Sequence, residues 1–398
     1  MDISGKRTID DLDVRGKRVL VRCDFNVPLL NGRITDDRRI RESLKTIRHL
    51  QENGAKVIAC SHLGRPEEPS AELSLSSICK HIEQLLGSPV KMAVDSIGAS
   101  VKKMSDDLQN GEIMLLENLR FHKEETQNDP GFAKELASLA ELFVNDAFGA
   151  AHRAHSSTVG VCKFLPSAIG YLMLKELTIL SNAINSPKRP LVSILGGAKV
   201  SDKIGVIDSL LDKVDVLILG GGMAYTFAGA QGFSVGRSIC EKDKFEVALD
   251  IIKKAKQKGV TLLLPTDCIA AASFHNEADF KLVPLSQIPD EYMGMDIGSE
   301  TVKVFSAAIK QAAGGTVIWN GPLGVCEFKN FEKGTKSLAK TLSETNLVSI
   351  IGGGDVAVPI GQLGIDEKLT HISTGGGASL RLLSGADMPG VAAVANKA

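Results

Sequence analysis

Short apolar runs alternate with amphipathic helical segments along much of the chain. In the first half, the apolar runs predict four strands, at 18–22, 56–60, 114–116 and 142–144. A helix is predicted to begin near Thr35 and to end at Gly54, with one apolar face made of Ile40, Leu44, Ile47 and Leu50. Because strands that alternate with helices pair through crossovers, the pattern predicts an α/β fold with a mostly parallel sheet.

A helical pattern between Pro166 and Pro190 separates two halves of different character. Apolar residues recur there at helical spacing, and a helix of about twenty residues spans about 30 Å. A chain of 398 residues is long enough for two domains, each with its own core. The pattern therefore predicts two domains joined by one helix, although that helix could also belong wholly to the shell of one domain.

Composition narrows the class of protein. The net charge of -1 argues against a nucleic-acid surface, and no run of 18 apolar residues predicts a membrane helix. The seven cysteines contain no CxxC pair, and an odd number of scattered cysteines is typical of reduced thiols in a cytosol. We therefore expect a cytoplasmic protein with neither a nucleic-acid nor a membrane partner.

Basic residues follow the predicted strands of the first half. Ligands bind outside the carboxyl ends of the strands in open parallel sheets, so residues that follow successive strands should meet in one crevice. The residues delivered there are Arg39, His62, Arg65, Arg120 and Arg153. Each one alone would more often be a surface or salt-bridged residue. Together, with only Asp24 and Asp146 as nearby acids, they predict a pocket for a small, multiply charged anion.

Glycines take this place in the second half. They follow predicted strands as Gly196-Gly197 and as the triplets 220–222, 352–354 and 375–377. One such turn would indicate only tight packing, but four at the same edge of one sheet favour a cradle for nucleotide phosphates. Neither a P-loop nor a convincing dinucleotide fingerprint is present, so a dinucleotide ligand is disfavoured.

Two lysines follow the first of these glycine turns. Lys199 and Lys203 are four residues apart, which predicts one face of the first turn of a helix. Two ammonium groups at the positive end of a helix need an anion between them, and a polyphosphate would satisfy both. The alternative is a pair of solvated surface lysines.

The chain resembles the phosphoglycerate kinase family over essentially its full length. The segments that carry the resemblance are, in order, RVLVRCDFNVP, SHLGRP, LLENLRFH, VNDAFGAAHRAHSS, GGAKVSDKI, GGGMAYTF, WNGPLGV, GGGDVAVPI and STGGGASL. The resemblance implies two Rossmann-like lobes: residues 1–168 with 381–398 returning to them, and residues 187–380, joined by a linker helix at 169–186. It also implies reversible phosphoryl transfer between 1,3-bisphosphoglycerate and Mg-ADP, in glycolysis and gluconeogenesis, by a cytoplasmic monomer.

The resemblance assigns site residues to both lobes. It implies that 3-phosphoglycerate or 1,3-bisphosphoglycerate binds at Asp24, Phe25, Asn26, Arg39, His62, Leu63, Gly64, Arg65, Arg120 and Arg153. It implies that ATP or ADP binds at Gly197, Lys199, Lys203, Gly221, Asn320, Glu327, Gly352, Gly353, Gly354, Asp355, Val356 and the turn 375–377. The catalytic residues would be Arg39, Lys199, Lys203, Gly353 and Gly376. Asp355 is the expected protein partner of Mg²⁺, although a residue at a helix start can equally be an ordinary N-cap.

The expected chemistry needs no general base, because the carboxylate and phosphate nucleophiles of the two directions are already ionised at neutral pH. Alignment and neutralisation of phosphoryl oxygens remain, and cations and backbone N–H groups suit both tasks. Because the two predicted pockets lie on separate lobes, closure should precede transfer and expel water. The alternatives are another ATP-dependent kinase of a small acid and a non-catalytic scaffold.

Three positions depart from the family pattern. Val356 stands where a hydroxyl residue usually follows the aspartate of GGGD, so only a backbone N–H is expected to serve phosphate there. Leu174 replaces an acid in the linker helix, and Arg381 replaces an acid after GGGASL.

Overall fold

The protein contains two compact units, each built on a six-stranded parallel sheet flanked by helices. The structure is a computed structural model and describes residues 5–397; residues 1–4 and 398 of the predicted lobes lie outside this range. The first unit extends to Thr178 and takes in the segment from Asp387 onward, and the second unit is Ile179–Ala386. The predicted α/β fold class is confirmed.

The first unit holds a parallel sheet of strand order β5-β6-β4-β1-β7-β8, and a separate two-stranded ribbon of β2 and β3. Its strands are β1 Arg18–Arg22, β2 Leu29–Leu30, β3 Arg33–Ile34, β4 Lys56–Cys60, β5 Val90–Met92, β6 Ile113–Leu115, β7 Leu142–Asn145 and β8 Ser167–Ile169. Its helices are α1 Arg38–Glu52, α2 Ser76–Leu86, α3 Ala99–Asp106, α4 Lys123–Gln127 and α5 Pro130–Ser138. The helix α6, Tyr171–Asn185, runs through the boundary between the units.

The carboxyl ends of the central strands lie side by side. Arg22, at the end of β1, is in register with Cys60 of β4 and with Asn145 of β7. The central strands are buried on both faces, and α1 covers one face with Ile40, Leu44, Ile47 and Leu50. The loops that follow β1, β4, β6 and β7 therefore leave the sheet along one edge.

The second unit has a parallel sheet of order β11-β10-β9-β15-β16-β17 and a three-stranded antiparallel sheet of order β13-β12-β14. Its strands are β9 Leu191–Leu195, β10 Val216–Leu219, β11 Thr261–Leu263, β12 Asp267–Ala271, β13 Phe280–Pro284, β14 Met293–Ile297, β15 Thr316–Asn320, β16 Val348–Gly352 and β17 His371–Ile372. Its helices are α7 Ile204–Leu210, α8 Met223–Ala230, α9 Phe245–Gln257, α10 Ser299–Gln311, α11 Lys333–Ser343, α12 Gly354–Gly361 and α13 Gly377–Leu383.

Several boundaries differ from those expected from the sequence: α1 begins at Arg38 and not near Thr35, and the strand expected at 114–116 is Ile113–Leu115. Ile169 belongs to β8, where its N–H donates to the carbonyl of Arg7, so α6 begins only at Tyr171. Arg381 lies in α13 of the second unit, and the chain rejoins the first unit from Asp387 onward. There Asn145 Nδ2 donates at 3.0 Å to the carbonyl of Gly390, which lies in a short helix α14, Pro389–Ala392. Within residues 5–397 no helix combines the length and apolarity that a membrane crossing requires.

A buried aspartate supports the start of α11. Asp296 accepts hydrogen bonds from the N–H groups of Gly334 at 2.8 Å and Ile297 at 2.9 Å. Burial raises the pKa of Asp296 to about 7, against the effect of these hydrogen bonds. Because the folded pKa lies above the unfolded one, the folded state favours the protonated acid, and this contribution to stability is lost as pH rises through about 7.

We predict that Asp296→Asn removes this pH dependence. Relative to the unmutated protein, the variant should gain unfolding free energy between about pH 4 and pH 7, by up to about 1.4 kcal/mol for each unit of pKa shift. Urea unfolding followed by the fluorescence of Trp319, the one tryptophan of the sequence, measures this in the second unit. Exposed Asp290→Asn is the matched control. A stability difference that stays constant across this pH range would refute the prediction.

Candidate functional site

The first unit brings together the basic residues expected from the sequence. Arg39 lies in the first turn of α1, His62 and Arg65 follow β4, Arg120 lies in a 3-10 turn after β6, and Arg153 follows β7. We call these five residues the basic cluster. Their charges influence one another: Arg39, Arg120 and Arg153 all act on His62, and Arg65 acts on both Arg120 and Arg153.

Hydrogen bonds between the loops hold the cluster in place. Asn26 Oδ1 accepts from the N–H of Gly64 at 2.8 Å, and the Asn26 carbonyl accepts from Arg39 Nη1 at 2.7 Å. The Gly64 carbonyl accepts from Arg120 Nη1 at 2.6 Å. Buried Asp24 lies 3.6 Å from Arg39 Nη1 and is the acid that partly balances the cluster. The loops after β1, β4 and β6 therefore form one connected platform.

Phe25 and Leu63, also predicted to bind the acid, have their side chains in the core. The N–H of Phe25 donates to Ser61 Oγ at 2.8 Å, and the N–H of Leu63 donates to Asn118 Oδ1 at 3.2 Å. Both residues thus position the loops through packing and backbone bonds, so their side chains are not available to a ligand.

The basic cluster has more positive charge than its acids neutralise. Burial and the charges of Arg153 and Arg22 lower the pKa of Arg120 to about 10. Burial, with the charges of Arg22 and Arg120, lowers the pKa of His62 well below its usual value, so this imidazole is neutral near pH 7. Arg120 Nε is buried and has no hydrogen-bond partner among the described residues. Such a site favours an anion with several oxygens.

Two buried residues behind the cluster were missed from the sequence. Arg22 and Glu125 are fully buried, and the Nη2 atom of Arg22 lies 3.9 Å from Glu125 Oε1. An arginine at the end of the otherwise apolar run VLVR was the available signal for Arg22. Glu125 carried no comparable signal, since its partner Ser157 is 32 residues away.

In the second unit, the predicted helical pairing of Lys199 and Lys203 is wrong. The helix α7 begins only at Ile204, and Lys203 precedes it. Gly197 has a φ of +121°, and the N–H of Lys203 donates to the carbonyl of Val200, so turns occupy this segment. Lys199 is exposed, whereas Lys203 is buried.

Lys203 and Asn320 form a polar pair within the second unit. Lys203 Nζ donates to Asn320 Oδ1 at 2.7 Å, and burial lowers the pKa of Lys203 to about 8. Asn320 Nδ2 is buried without a hydrogen-bond partner among the described residues. An unpaired buried donor beside a buried ammonium group is unfavourable unless an acceptor arrives, and phosphate oxygens would serve both groups.

The glycine turns fall into two sets. At Gly196 and Gly221 the turns pack on one another, since an added Cβ would lie 2.0 Å from the Pro322 carbonyl and 2.7 Å from the Gly197 nitrogen, respectively. Gly353 and Gly376 have positive φ values of 105° and 43°, yet an added Cβ would meet nothing within 3.5 Å. Tight packing explains the first set. The second set consists of open turns at the starts of α12 and α13.

Gly352, Gly354 and Asp355 belong to the same part of the unit as the second set. Gly352 ends β16 beside Asn320 Nδ2, and Gly354 and exposed Asp355 begin α12, whose first N–H groups have no partner within the helix. Asp355 is close enough for its charge to act on Lys203. Glu327 is exposed on the loop after β15.

The described residues contain no group of three His, Cys, Asp or Glu side chains that could hold a metal ion by themselves. Mg²⁺ commonly binds through one or two carboxylates together with substrate phosphates. A single exposed carboxylate beside open N–H groups and Lys203 fits that mode of binding, and Asp355 provides it.

Comparison with known proteins agrees with the family resemblance seen in the sequence. The family model described as phosphoglycerate kinase matches residues 9–386. The phosphoglycerate kinase of Clostridium kluyveri is 55% identical over 399 residues, covering 99% of this chain and 100% of that protein.

The chain belongs to the phosphoglycerate kinase family. The solved phosphoglycerate kinase of Coxiella burnetii is similar, with a TM-score of 0.82 at 37% identity, and that of Pyrococcus horikoshii has a TM-score of 0.86 at 31% identity. Each comparison covers 98% of both chains. The predicted phosphoglycerate kinase activity is confirmed, and the alternatives of another small-acid kinase or a scaffold are not favoured.

Within this phosphoglycerate kinase fold, the side chain of Val356 does not face a nucleotide. It is fully buried and packs in the core cluster that contains Ile351, Ile360 and Trp319. The N–H of Val356 donates to the Gly353 carbonyl at 3.3 Å. A threonine hydroxyl at this position would therefore lie in the core and would not reach phosphate.

We predict that Val356→Thr lowers stability and leaves the affinity for ADP within about twofold. A hydroxyl in this apolar position would have no partner, which typically costs about 1–3 kcal/mol. Urea unfolding and calorimetric titration with ADP measure the two quantities. Val358→Thr, two residues on and 44% exposed, is the control and should change neither. Tighter ADP binding by the Val356→Thr variant would show that this side chain faces the nucleotide site, and it would contradict the prediction.

Proposed function

We propose that the protein transfers a phosphoryl group reversibly between 1,3-bisphosphoglycerate and ADP, with the acid bound by the first unit and Mg-nucleotide bound by the second. The observation that supports this division most strongly is the unbalanced charge of the basic cluster. A substrate without a phosphate would leave most of those cations unpaired. 3-Phosphoglycerate carries a carboxylate and a phosphate, and these two anionic groups match a cluster of several separate cations.

We assign the nucleotide phosphates to the open glycine turns, Lys203 and Asn320. At these turns a nucleotide can approach the backbone closely, and α12 offers its first N–H groups. Lys203 contributes a charge that is only partly solvated, and Asn320 contributes an unused donor. Because Lys199 is exposed, we assign it a role as a positive charge near the phosphates and not as a fixed contact.

The chain's own residues would bind and orient the reactants. In one direction a carboxylate oxygen of 3-phosphoglycerate attacks the terminal phosphorus of ATP; the new O–P bond forms as the bond to ADP breaks. No proton has to move, so no general base is required. Arg39 and Lys203 would neutralise the charge of the transferred group, whose three oxygens gain interactions during transfer. Mg²⁺, held by Asp355 and the nucleotide, would neutralise phosphate charge further.

Direct transfer also requires the two ligands to meet in the absence of water, since water would hydrolyse the acyl phosphate. The proposal therefore includes a hinge closure before transfer. A cytoplasmic, monomeric enzyme of glycolysis agrees with the family and with the composition of the chain.

The activity is tested by a coupled assay with 3-phosphoglycerate and Mg-ATP, and Lys203→Ala tests the role of the buried ammonium. We expect kcat to fall on the order of 10², equivalent to about 3 kcal/mol, with a smaller change in the KM for ATP. The reason is that a preorganised buried charge acts mainly on charge that develops during transfer.

Two controls accompany this variant. Lys199→Ala removes an exposed ammonium from the same segment and should have a smaller effect on kcat. Lys258→Ala, whose ammonium pairs with Asp212 after α9, should have none. An unchanged kcat with a raised KM for ATP would assign Lys203 to ground-state binding instead.

A further inference from the structure

A buried ionic network lies behind the basic cluster. Arg22, Glu125 and Ser157 are each fully buried, and they come from β1, α4 and the segment after β7. Ser157 joins the other two: its Oγ donates to Glu125 Oε1 at 2.6 Å and accepts from Arg22 Nε at 2.7 Å. The N–H of Ser157 donates to the second oxygen of Glu125 at 2.9 Å.

This network fixes the plane of the Arg22 guanidinium. Nε is held by Ser157, Nη1 donates to the carbonyl of Cys23, and the charge is balanced by Glu125. Burial acts to raise the pKa of Glu125, but the His155 ring, whose Nδ1 lies 3.6 Å from Glu125 Oε1, and the charge of Arg22 outweigh it, so the net shift is downward. Glu125 is therefore ionised, and Arg22 is a charged, immobile donor.

The remaining nitrogen of this guanidinium, Nη2, faces His62. Arg22 Nη2 lies 3.1 Å from His62 Nδ1. A guanidinium can only donate, so Nδ1 must accept and the ring proton must be on Nε2. His62 Nε2 has no hydrogen-bond partner among the described residues. It is also not among their fully buried polar atoms that lack a partner, so Nε2 is the ring nitrogen that can reach a ligand in the pocket.

We propose that Arg22 is a positioning residue that holds His62 as the neutral tautomer whose Nε2–H donates a hydrogen bond to an oxygen of the bound phosphorylated acid. The inference rests on the proposed function, since it assumes that this pocket binds the acid. It gives a role to Arg22 and Glu125, two buried residues that do not themselves touch the ligand.

The surroundings of His62 agree with a neutral ring. The charged groups that act on it are Arg22 from β1, Arg39 from α1, Arg120 from the loop after β6 and Arg153 from the loop after β7. All four are cations, so protonation would add a fifth charge and would also break the bond to Arg22. A neutral His62 therefore orients the anion through a hydrogen bond and adds no charge, whereas the arginines attract the anion.

The position of the ring proton can be observed directly in the unmutated, full-length protein. Two-bond ¹H–¹⁵N correlation spectra distinguish a protonated from an unprotonated imidazole nitrogen, and comparison with the spectrum of His62→Gln assigns the signals among the eight histidines. We expect His62 to show an unprotonated Nδ1 and a protonated Nε2 from pH 5 to pH 8, with no titration. A proton on Nδ1, or titration near pH 6.5, would overturn the proposal.

Kinetics test the function of this arrangement. In Arg22→Lys the charge is kept but the fork that holds Ser157 and His62 together is lost. We expect the KM for 3-phosphoglycerate to rise about tenfold or more, with the KM for ATP within about twofold. The two-bond spectra of this variant should also no longer show one fixed tautomer of His62, because Nδ1 loses the guanidinium donor that it accepts from. Arg48→Lys, an exposed arginine that donates to the Leu85 carbonyl, is the matched control.

The outcomes separate the possible failures. A variant that merely folds less well would lose kcat at an unchanged KM for 3-phosphoglycerate, which contradicts a positioning role. Equal rises in both KM values would also contradict it. If the unmutated protein showed no transfer from Mg-ATP to 3-phosphoglycerate, the proposed function would fail while the spectra still reported the tautomer.

Discussion

Positive charge that the protein does not neutralise itself is the constraint on which the rest of the structure depends. In the first unit, four arginines act on one buried histidine; of these, Arg22 pairs with Glu125 and Arg39 lies 3.6 Å from Asp24. In the second unit, a lysine is buried against an asparagine with an unused donor. Like charges held together in a partly buried site destabilise the free protein, and anionic ligands relieve that cost. If these are the binding groups, as we propose, the fold holds them in place before the ligand arrives.

The architecture makes this possible through its parallel strands. In each unit the carboxyl ends of adjacent strands lie side by side, so loops that are distant in sequence meet at one edge. Backbone bonds then fix the loops, as in the contacts of Asn26 and Arg120 with Gly64. Behind them, Glu125 and Ser157 hold Arg22. The hydrogen-bonded support of the site thus extends one layer deeper than the residues that we propose face the ligand.

Local sequence patterns were enough to predict the strands β1 and β4, whose bounds agree with the apolar runs. They were also enough to select the basic cluster, because basic residues recur near the ends of successive predicted strands. The start of α7 could not be predicted, since a spacing of four residues says nothing about whether Gly197 delays the helix. Burial decided other cases: Val356 and Leu63 have their side chains in the core, and no local pattern distinguishes those positions from site positions. The partnership of Glu125 with Arg22 depends on contacts across about a hundred residues of sequence, which only the fold reveals.

The central claim is that each unit binds one of the two anionic ligands, and hydrogen–deuterium exchange of the full-length protein tests it most directly. 3-Phosphoglycerate alone should slow exchange in peptides that contain 61–65 and 118–122, and should leave 353–356 unchanged. Mg-ADP alone should slow exchange at 353–356 and around Lys203, and should leave the basic cluster unchanged. Protection of both regions by one ligand alone, or protection of the same unit by both ligands, would contradict the account.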